Sequence, residues 1–149
     1  MTITICGSMA LAEQMIDYQQ KLEALGHRVF VSEFIESYLG RSDEDKLALT
    51  LHHKYQNDAI KEHWEKIKAS DAILVMNLDR KGIAHYIGGN TLMEIGFAHV
   101  LDKKIYLLNP IPNIELYKTE IEATKPIVLH GNLNNMQFDS DSEFVEGID

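Results

Sequence analysis

The chain has 149 residues, of which 45% are hydrophobic, and it carries a formal net charge of −9. Its length predicts a single domain over residues 1–149. The negative charge argues against a protein that binds the phosphate backbone of nucleic acids, although it leaves room for a small anionic ligand. No apolar run approaches the roughly 20 residues that a membrane helix requires, so no membrane partner is expected.

Cysteine usage and the N-terminal residues indicate a cytoplasmic protein. Cys6 is the only cysteine, which excludes an intrachain disulfide and fits a reducing compartment. The opening MTITICGS lacks the basic segment of a signal peptide. Because Cys6 lies in an apolar stretch, we expect it to be a buried, inert thiol.

The N-terminal third is typical of a strand-helix-strand unit. Residues 2–6 predict a strand, and Gly7 and Ser8 form a turn in which Ser8 caps the following helix. Apolar residues at helical spacing over residues 11–25 predict an amphipathic helix that ends at Gly26, and residues 29–31 predict the second strand. This order favours a parallel sheet. The turn lacks the full G-x-G-x-x-G pattern, so we expect neither NAD nor any other cofactor.

The region from residue 33 to residue 69 is mostly helical in its pattern. Phe34 and its neighbours predict either a short helix or a lid over a ligand. A helix is expected from about residue 43 to residue 69, with a possible break, and Ile60, Trp64 and Ile67 mark its buried stripe.

Three histidines fall in this helical region: His52, His53 and His63. His53 and His63 are too far apart for the i,i+4 pair of a helical metal site. We therefore predict no metal site and interpret these histidines as mostly surface residues.

A strand-loop-helix-strand unit follows, and its helix begins at a glycine pair. Residues 72–76 predict a buried strand, residues 77–90 a polar loop, and the helix from Gly88 and Gly89 extends to about residue 104. Free N–H groups in a first helical turn attract anions and polar oxygens. Glu94 lies about one turn into this helix, as a candidate nucleophile or general base. The alternative is a solvated carboxylate that the helix dipole favours.

The remaining elements complete an α/β alternation. Residues 105–108 predict a strand, 114–123 a helix and 126–129 a fifth strand, while the acidic tail 139–149 is expected either to fray or to dock on a neighbour. We predict a flavodoxin-like, Rossmann-type three-layer fold with a five-stranded parallel sheet of order 2-1-3-4-5. In that order the loops at residues 7–8 and 77–90 converge on one crevice.

Several of these motifs resemble the nucleoside 2-deoxyribosyltransferase family, which includes the deoxynucleoside 5′-monophosphate N-glycosidases. The resemblance covers most of the chain, from C-G-S after the first strand to the block M-E-I-G-F-A-H-V-L-D-K-K-I. Glu94, Gly96, Ala98 and Lys104 match the family block. The resemblance implies that Glu94 attacks the anomeric carbon of a nucleoside or nucleotide and forms a glycosyl-enzyme. It also implies a homodimer or homotetramer, since the family completes its sites with residues of a neighbouring subunit.

A weaker resemblance points to the same chemistry. The run G-G-N-T-L-M-E over residues 88–94 is one residue short of the G-G-x-G-T-x-x-E of the cytokinin-activating phosphoribohydrolases. Those enzymes also cleave an N-glycosidic bond.

The sequence departs from the first family at four positions. His63 stands where the family has an aspartate that assists the base, and Ala10 stands where the monophosphate hydrolases have an arginine. Gly88 replaces a serine, and Phe34 replaces a histidine. These departures keep a non-catalytic nucleotide-binding module open as the alternative function. They also favour a ligand whose 5′-phosphate is not essential, because an arginine–phosphate contact is stronger than a contact from a neutral N–H.

Roles follow from what N-glycosidic cleavage needs. Glu94 supplies the carboxylate near C1′, and Asp79, His85 or His63 protonates the leaving base. The expected substrate-binding residues are Gly7, Ser8, Met9, Phe34, Asn77, Tyr86, Gly88, Gly89, Asn90 and Asn109. The competing interpretations are that Phe34 belongs to the core, that His85 and Tyr86 are ordinary loop residues, and that Arg80 and Lys81 are a solvated pair.

Overall fold

The computed structural model describes residues 1–136, so the prediction for the acidic tail 139–149 lies outside the described residues. The strands are β1 Thr2–Cys6, β2 Arg28–Phe30, β3 Ala72–Val75, β4 Lys104–Leu107 and β5 Ile127–Val128. The α-helices are α1 Ala12–Ala24, α2 Asp43–Gln56, α3 Ala59–Lys68, α4 Gly89–Val100 and α5 Lys118–Ala123. Short 3-10 helices cover Met9–Leu11, Ile35–Tyr38 and Leu133–Met136. Among these residues, no helix combines the length and apolar character needed to cross a bilayer.

The five strands form one parallel sheet in the order β2-β1-β3-β4-β5, which confirms the predicted order. The chain therefore winds outward from β1 to β2 and then crosses back to β3, so the winding direction reverses between β1 and β3. At this point the loops that follow the two strands diverge to opposite faces of the sheet. A crevice consequently opens beyond the carboxyl ends of β1 and β3.

Each face of the sheet carries its own hydrophobic layer. Side chains alternate along β1 and β3, as they must in a strand. Ile5 and Leu74 pack on the face covered by α1, whereas Cys6 and Val75 pack on the face covered by α3 and α4. Both layers consist of buried residues, which is typical of a parallel sheet that is covered on both sides.

The long helix predicted for residues 43–69 is two helices, and the predicted break lies between them. α2 ends at Gln56, and Asp58 adopts a left-handed backbone conformation with φ 47°. A left-handed residue cannot continue a right-handed helix, so α3 starts afresh at Ala59 in a new direction. The segment before α2 contains the 3-10 helix Ile35–Tyr38, in agreement with the short helix that was one of two alternatives for Phe34 and its neighbours. Ile35 and Tyr38 are buried.

The predicted buried stripe of α3 is only partly right. Ile67 is fully buried, but Ile60 and Trp64 are half-buried, and the other buried residue of α3 is His63. His63 and Ile67 are four residues apart and therefore share the helix face that packs on β1. The interpretation of the histidines as surface residues is thus wrong for His63, because the face that α3 turns inward includes it.

Helix α4 is shorter than predicted. It ends at Val100, since Asp102 takes a left-handed conformation with φ 58°. The Lys103 N–H then donates to the Ala98 carbonyl at 2.8 Å, which closes the helix end.

Candidate functional site

The loops after β1 and β3 meet at the carboxyl edge of the sheet, as the strand order predicts. Arg80 donates from Nη1 to the Ser8 hydroxyl oxygen at 2.7 Å and thereby joins the two loops. Gly7 permits the close approach of the first loop. Its φ is +153°, and a Cβ there would lie 3.0 Å from the Met15 Cε and 3.3 Å from the Met76 Cβ. The interpretation of Arg80 as a solvated residue is wrong, because the loop after β3 folds inward.

Glu94 is buried at the inner end of this crevice, with 6% of its surface exposed. It shares the inward face of α4 with Thr91 and Ala98, at helical spacing. Its Oε2 lies 3.6 Å from His63 Nε2, whereas Oε1 has no hydrogen-bond partner among residues 1–136. The alternative of a solvated carboxylate is therefore wrong.

His63 and Cys6 lie beside Glu94. His63 Nε2 donates to the Ile5 carbonyl oxygen at 3.1 Å and lies 3.6 Å from Cys6 Sγ. Cys6 is buried, as expected from its strand. Three elements thus contribute one polar side chain each to this cluster: β1 contributes Cys6, α3 contributes His63 and α4 contributes Glu94.

Burial controls the ionisation of this cluster. Loss of solvent raises the pKa of Glu94, while the charge of His63 and a hydrogen bond from the Cys6 thiol lower it. Burial, followed by the neighbouring Glu94 charge, raises the pKa of Cys6 well above its ordinary value. Cys6 therefore remains a thiol at neutral pH and donates to Glu94. Both neighbours therefore favour the negative form of Glu94, which burial disfavours.

The cluster opens into two adjoining cavities. The inner cavity has a volume of about 50 Å³, and both His63 and Glu94 line it. The outer cleft has a volume of about 490 Å³, within the range of small-molecule sites. The residues that line both are Gly7, Met9, Thr50, Lys54 and Asn90. The inner cavity is therefore a side pocket of a cleft that is large enough for a nucleotide.

Basic side chains outnumber acidic ones around the outer cleft. Lys46, Lys54, Arg80 and Lys81 line it, against Asp43 and Glu44. Lys46 is already held by the Glu13 carboxylate and by the Ala10 carbonyl. Lys54, in contrast, is half-buried and forms no ion pair or hydrogen bond within the described part of the chain. The cleft is thus locally positive in a chain that is strongly negative overall.

The cavities contain most of the predicted substrate-binding residues. Those that line one or both are Gly7, Ser8, Met9, Phe34, Tyr86, Gly88, Gly89 and Asn90. Phe34 both packs against the core cluster and stacks on His53, with ring centroids 4.1 Å apart. Lys81 is exposed, and its Nζ lies 5.5 Å from the centroid of the Tyr86 ring.

Two predicted binding residues, Asn77 and Asn109, are instead engaged with each other. The Asn77 amide nitrogen donates to the carbonyl oxygens of Asn109 and Pro110, and the Asn109 N–H donates to Asn77 Oδ1 at 2.9 Å. Neither residue lines the two cavities. Their amides tie the end of β3 to the end of β4, so their role is structural.

The candidate acids Asp79 and His85 also lie apart from Glu94. The His85 N–H donates to Asp79 Oδ1 at 2.9 Å, and His85 Nδ1 lies 3.7 Å from the same oxygen. Neither lines the inner cavity or the outer cleft. Of the three candidates for protonating a base, the structure brings only His63 to the cavity that contains Glu94.

Sequence reasoning missed the contribution of α2 to the cleft. Lys46, Thr50 and Lys54 are spaced by four residues, so they lie on one face of that helix, and all three line the cleft. The spacing of these polar residues along α2 is the sequence signal for this contribution. It does not lie at the end of a strand, where binding residues of a parallel sheet are expected.

Comparisons with known proteins show a likeness to solved structures only. No protein-family model matches the sequence, and no curated protein does. Among solved structures, the CMP N-glycosidase BcmB of Clostridium botulinum is similar to this chain, with a TM-score of 0.45 and 18% sequence identity. The likeness covers 86% of this chain and 85% of that protein. At this level it assigns neither an activity nor a residue role to this chain.

Proposed function

We propose that the protein cleaves the N-glycosidic bond of a nucleoside or nucleotide, with Glu94 as the nucleophile. The observation that carries this proposal is a buried carboxylate that lines a cavity next to a nucleotide-sized cleft and keeps one oxygen unpartnered among the described residues. Such a group costs folding free energy, and costly buried charges cluster at functional sites. The match of Glu94, Gly96, Ala98 and Lys104 to the deoxyribosyltransferase block supports the same assignment.

The reaction needs a negative oxygen near C1′. As the bond from C1′ to the base nitrogen breaks, its electron pair leaves with the base and positive charge develops on the sugar. An oxygen of Glu94 forms a bond to C1′ and captures that charge. Water, or a second base, then attacks C1′ and releases Glu94 as a carboxylate. The departing base takes up a proton, for which His63 is the remaining candidate of the three predicted.

The substrate we favour carries a 5′-phosphate, in contrast to the preference drawn from sequence. Arg80 lies against Ser8 and supplies the guanidinium that is missing at Ala10. Lys54 offers an ammonium that has no partner within residues 1–136, and the first turn of α4 offers N–H groups at the same cleft. Charge-assisted contacts from these groups favour a monophosphate over its nucleoside.

The test is incubation of the protein with a panel of nucleosides and nucleoside monophosphates, with chromatography for free base. Glu94→Gln should lower the rate of base release by at least about a thousandfold, as expected for a lost nucleophile. Glu65→Gln, at an exposed helical glutamate, serves as the matched control and should retain activity. Turnover of the Glu94 variant within a few-fold of wild type overturns the assignment.

A non-catalytic nucleotide-binding module is the second candidate. The inner cavity favours it, since about 50 Å³ admits a few water molecules but not a sugar ring without movement of the surrounding side chains. His63 at the position of the family aspartate favours it as well. Tight nucleotide binding without base release, and with equal affinity in Glu94→Gln, would establish this alternative.

A further inference from the structure

Cys6, His63 and Glu94 form a group of potential metal ligands. Their ligand atoms, one from each residue, all lie within 4.8 Å of one another, and all three side chains are buried. They come from three different elements that are held together by the core, so the three side chains are already close together before any ligand arrives. A second feature points to a missing ligand, namely Glu94 Oε1, which is buried and unpartnered within residues 1–136.

The spacing of these atoms fits a tetrahedral ion. Zinc binds sulfur at about 2.3 Å and nitrogen or oxygen at about 2.0–2.2 Å, which places neighbouring ligand atoms roughly 3.3–3.7 Å apart. His63 Nε2 lies 3.6 Å from Cys6 Sγ and 3.6 Å from Glu94 Oε2. Two edges of the tetrahedron therefore already have the required length, and the third, between Cys6 Sγ and a carboxylate oxygen of Glu94, is no longer than 4.8 Å.

We propose that Cys6, His63 and Glu94 bind one Zn²⁺ ion and that bound zinc switches off Glu94. The fourth ligand is a water molecule in the inner cavity, which His63 and Glu94 line. The outer cleft adjoins that cavity and provides the route of entry. Three protein ligands and one open position are the usual pattern of an accessible zinc site.

The ligand types favour zinc over magnesium or calcium. Those two ions prefer oxygen ligands, whereas this group offers one thiol, one imidazole and a single carboxylate. On binding, the Cys6 sulfur coordinates as a thiolate and its proton passes to solvent. His63 coordinates through Nε2 with its proton on Nδ1, so its hydrogen bond to the Ile5 carbonyl is lost. No atom changes its oxidation state.

The inhibitory consequence rests on the proposed function. Zinc bound to the Glu94 carboxylate withdraws electron density from both of its oxygens. The ion and its water molecule also fill the inner cavity of about 50 Å³, so they exclude C1′ from Glu94. Zinc binding therefore prevents glycosyl transfer to Glu94. The rate of base release would therefore fall as the concentration of free zinc rises.

Cobalt provides the direct test, because Co²⁺ occupies zinc sites and reports a thiolate ligand as a charge-transfer absorption. The reduced, chelator-treated full-length protein should bind one Co²⁺ with this absorption, and Zn²⁺ should abolish it. Because Cys6 is the only cysteine, the absorption reports that residue alone. Cys6→Ser should remove it, and His63→Gln should weaken the affinity by more than about tenfold. His99→Gln, at an exposed histidine of α4, is the matched control.

The outcomes separate this proposal from the proposed function. Absence of the thiolate absorption from the folded wild-type protein, or unchanged affinity in His63→Gln, overturns the zinc site. Should the substituted proteins unfold, the wild-type absorption and a zinc-induced rise in melting temperature still decide the matter. Base release that one equivalent of Zn²⁺ stops and a chelator restores supports both proposals. Base release without any cobalt absorption supports the glycosidase and contradicts the metal site.

Discussion

At the scale of single residues, burial of the Glu94 carboxylate lowers the stability of the folded protein, and the same burial places this group at the candidate site. Its carboxylate is surrounded by the apolar layer between the sheet and α3, with only His63 and Cys6 to offset the charge. Burial raises its pKa, so the folded protein holds this proton at pH values where the unfolded chain has released it. Protonated Glu94 makes its full contribution to stability at pH values below the pKa of this residue in the unfolded chain. That contribution is lost as the pH rises through the pKa of Glu94 in the folded protein.

This linkage predicts how Glu94→Gln behaves. The glutamine stays neutral, so the variant does not lose stability as the pH rises through the pKa of Glu94. It should therefore be more stable than the wild type at neutral pH. The difference should shrink as the pH falls towards the ordinary glutamate value of 4.5. Thermal melts across this range, with a chelator present and Glu65→Gln as control, measure it. A difference that is constant with pH would contradict the buried-carboxylate interpretation.

Asn77 is a second residue whose environment sets its role. It is fully buried, and its side chain exchanges hydrogen bonds with Asn109 and Pro110 at the ends of two strands. Asn77→Ala should leave several buried polar groups unsatisfied and lower the free energy of unfolding by about 2 kcal/mol. Asn113→Ala, at an exposed position, should stay within about 0.5 kcal/mol of wild type. Urea denaturation measures both, and an unchanged midpoint for Asn77→Ala would contradict the structural role.

At the scale of elements, local patterns predicted nearly all of the fold and less of the site. Strands and helices follow from the spacing of apolar residues, and the α/β alternation then restricts the strand order. The grouping of Cys6, His63 and Glu94 was not predictable in this way, because it depends on which faces of β1, α3 and α4 meet across the sheet. Sequence spacing within α3 gave no sign that His63, rather than Trp64, faces inward.

Helix α2 supplies a prediction at this scale, because its polar face lines the cleft. Lys46 is held by Glu13, whereas Lys54 has no partner within the described residues, so of the two lysines on this face of α2 it is Lys54 that is available to a phosphate. Lys54→Gln should weaken the binding of a nucleoside monophosphate by about tenfold, or 1.4 kcal/mol, and leave its nucleoside nearly unaffected. Lys61→Gln, at an exposed position of α3, is the control. Calorimetric titration of both ligands tests this, and an equal loss for the two would contradict phosphate recognition by Lys54.

At the scale of the whole molecule, α2 also presents an apolar stripe to solvent. Leu47, Leu51 and Tyr55 are four residues apart and have 62%, 44% and 77% of their surface exposed among the described residues. Such a stripe is typical of a helix that packs against a partner. A second copy of this chain fits it, since a two-fold axis would place the same stripe on both sides of the contact. Leu47 also lines the cleft, so a partner seated here would lie beside the substrate.

The stripe therefore predicts a homodimer that forms through α2. Light scattering should give twice the chain mass of 17.0 kDa. Leu51→Glu, which places a charge at the centre of the contact, should shift the protein to the monomer because burial of an unpaired charge is costly. Leu116→Glu changes a residue with 86% exposure outside α2 and should remain dimeric. Since Leu47 borders both the stripe and the cleft, the Leu51 variant should also lose nucleotide affinity as it dissociates. A wild-type protein that stays at 17.0 kDa across a dilution series would contradict the dimer. The cleft would then be formed by residues of one chain alone.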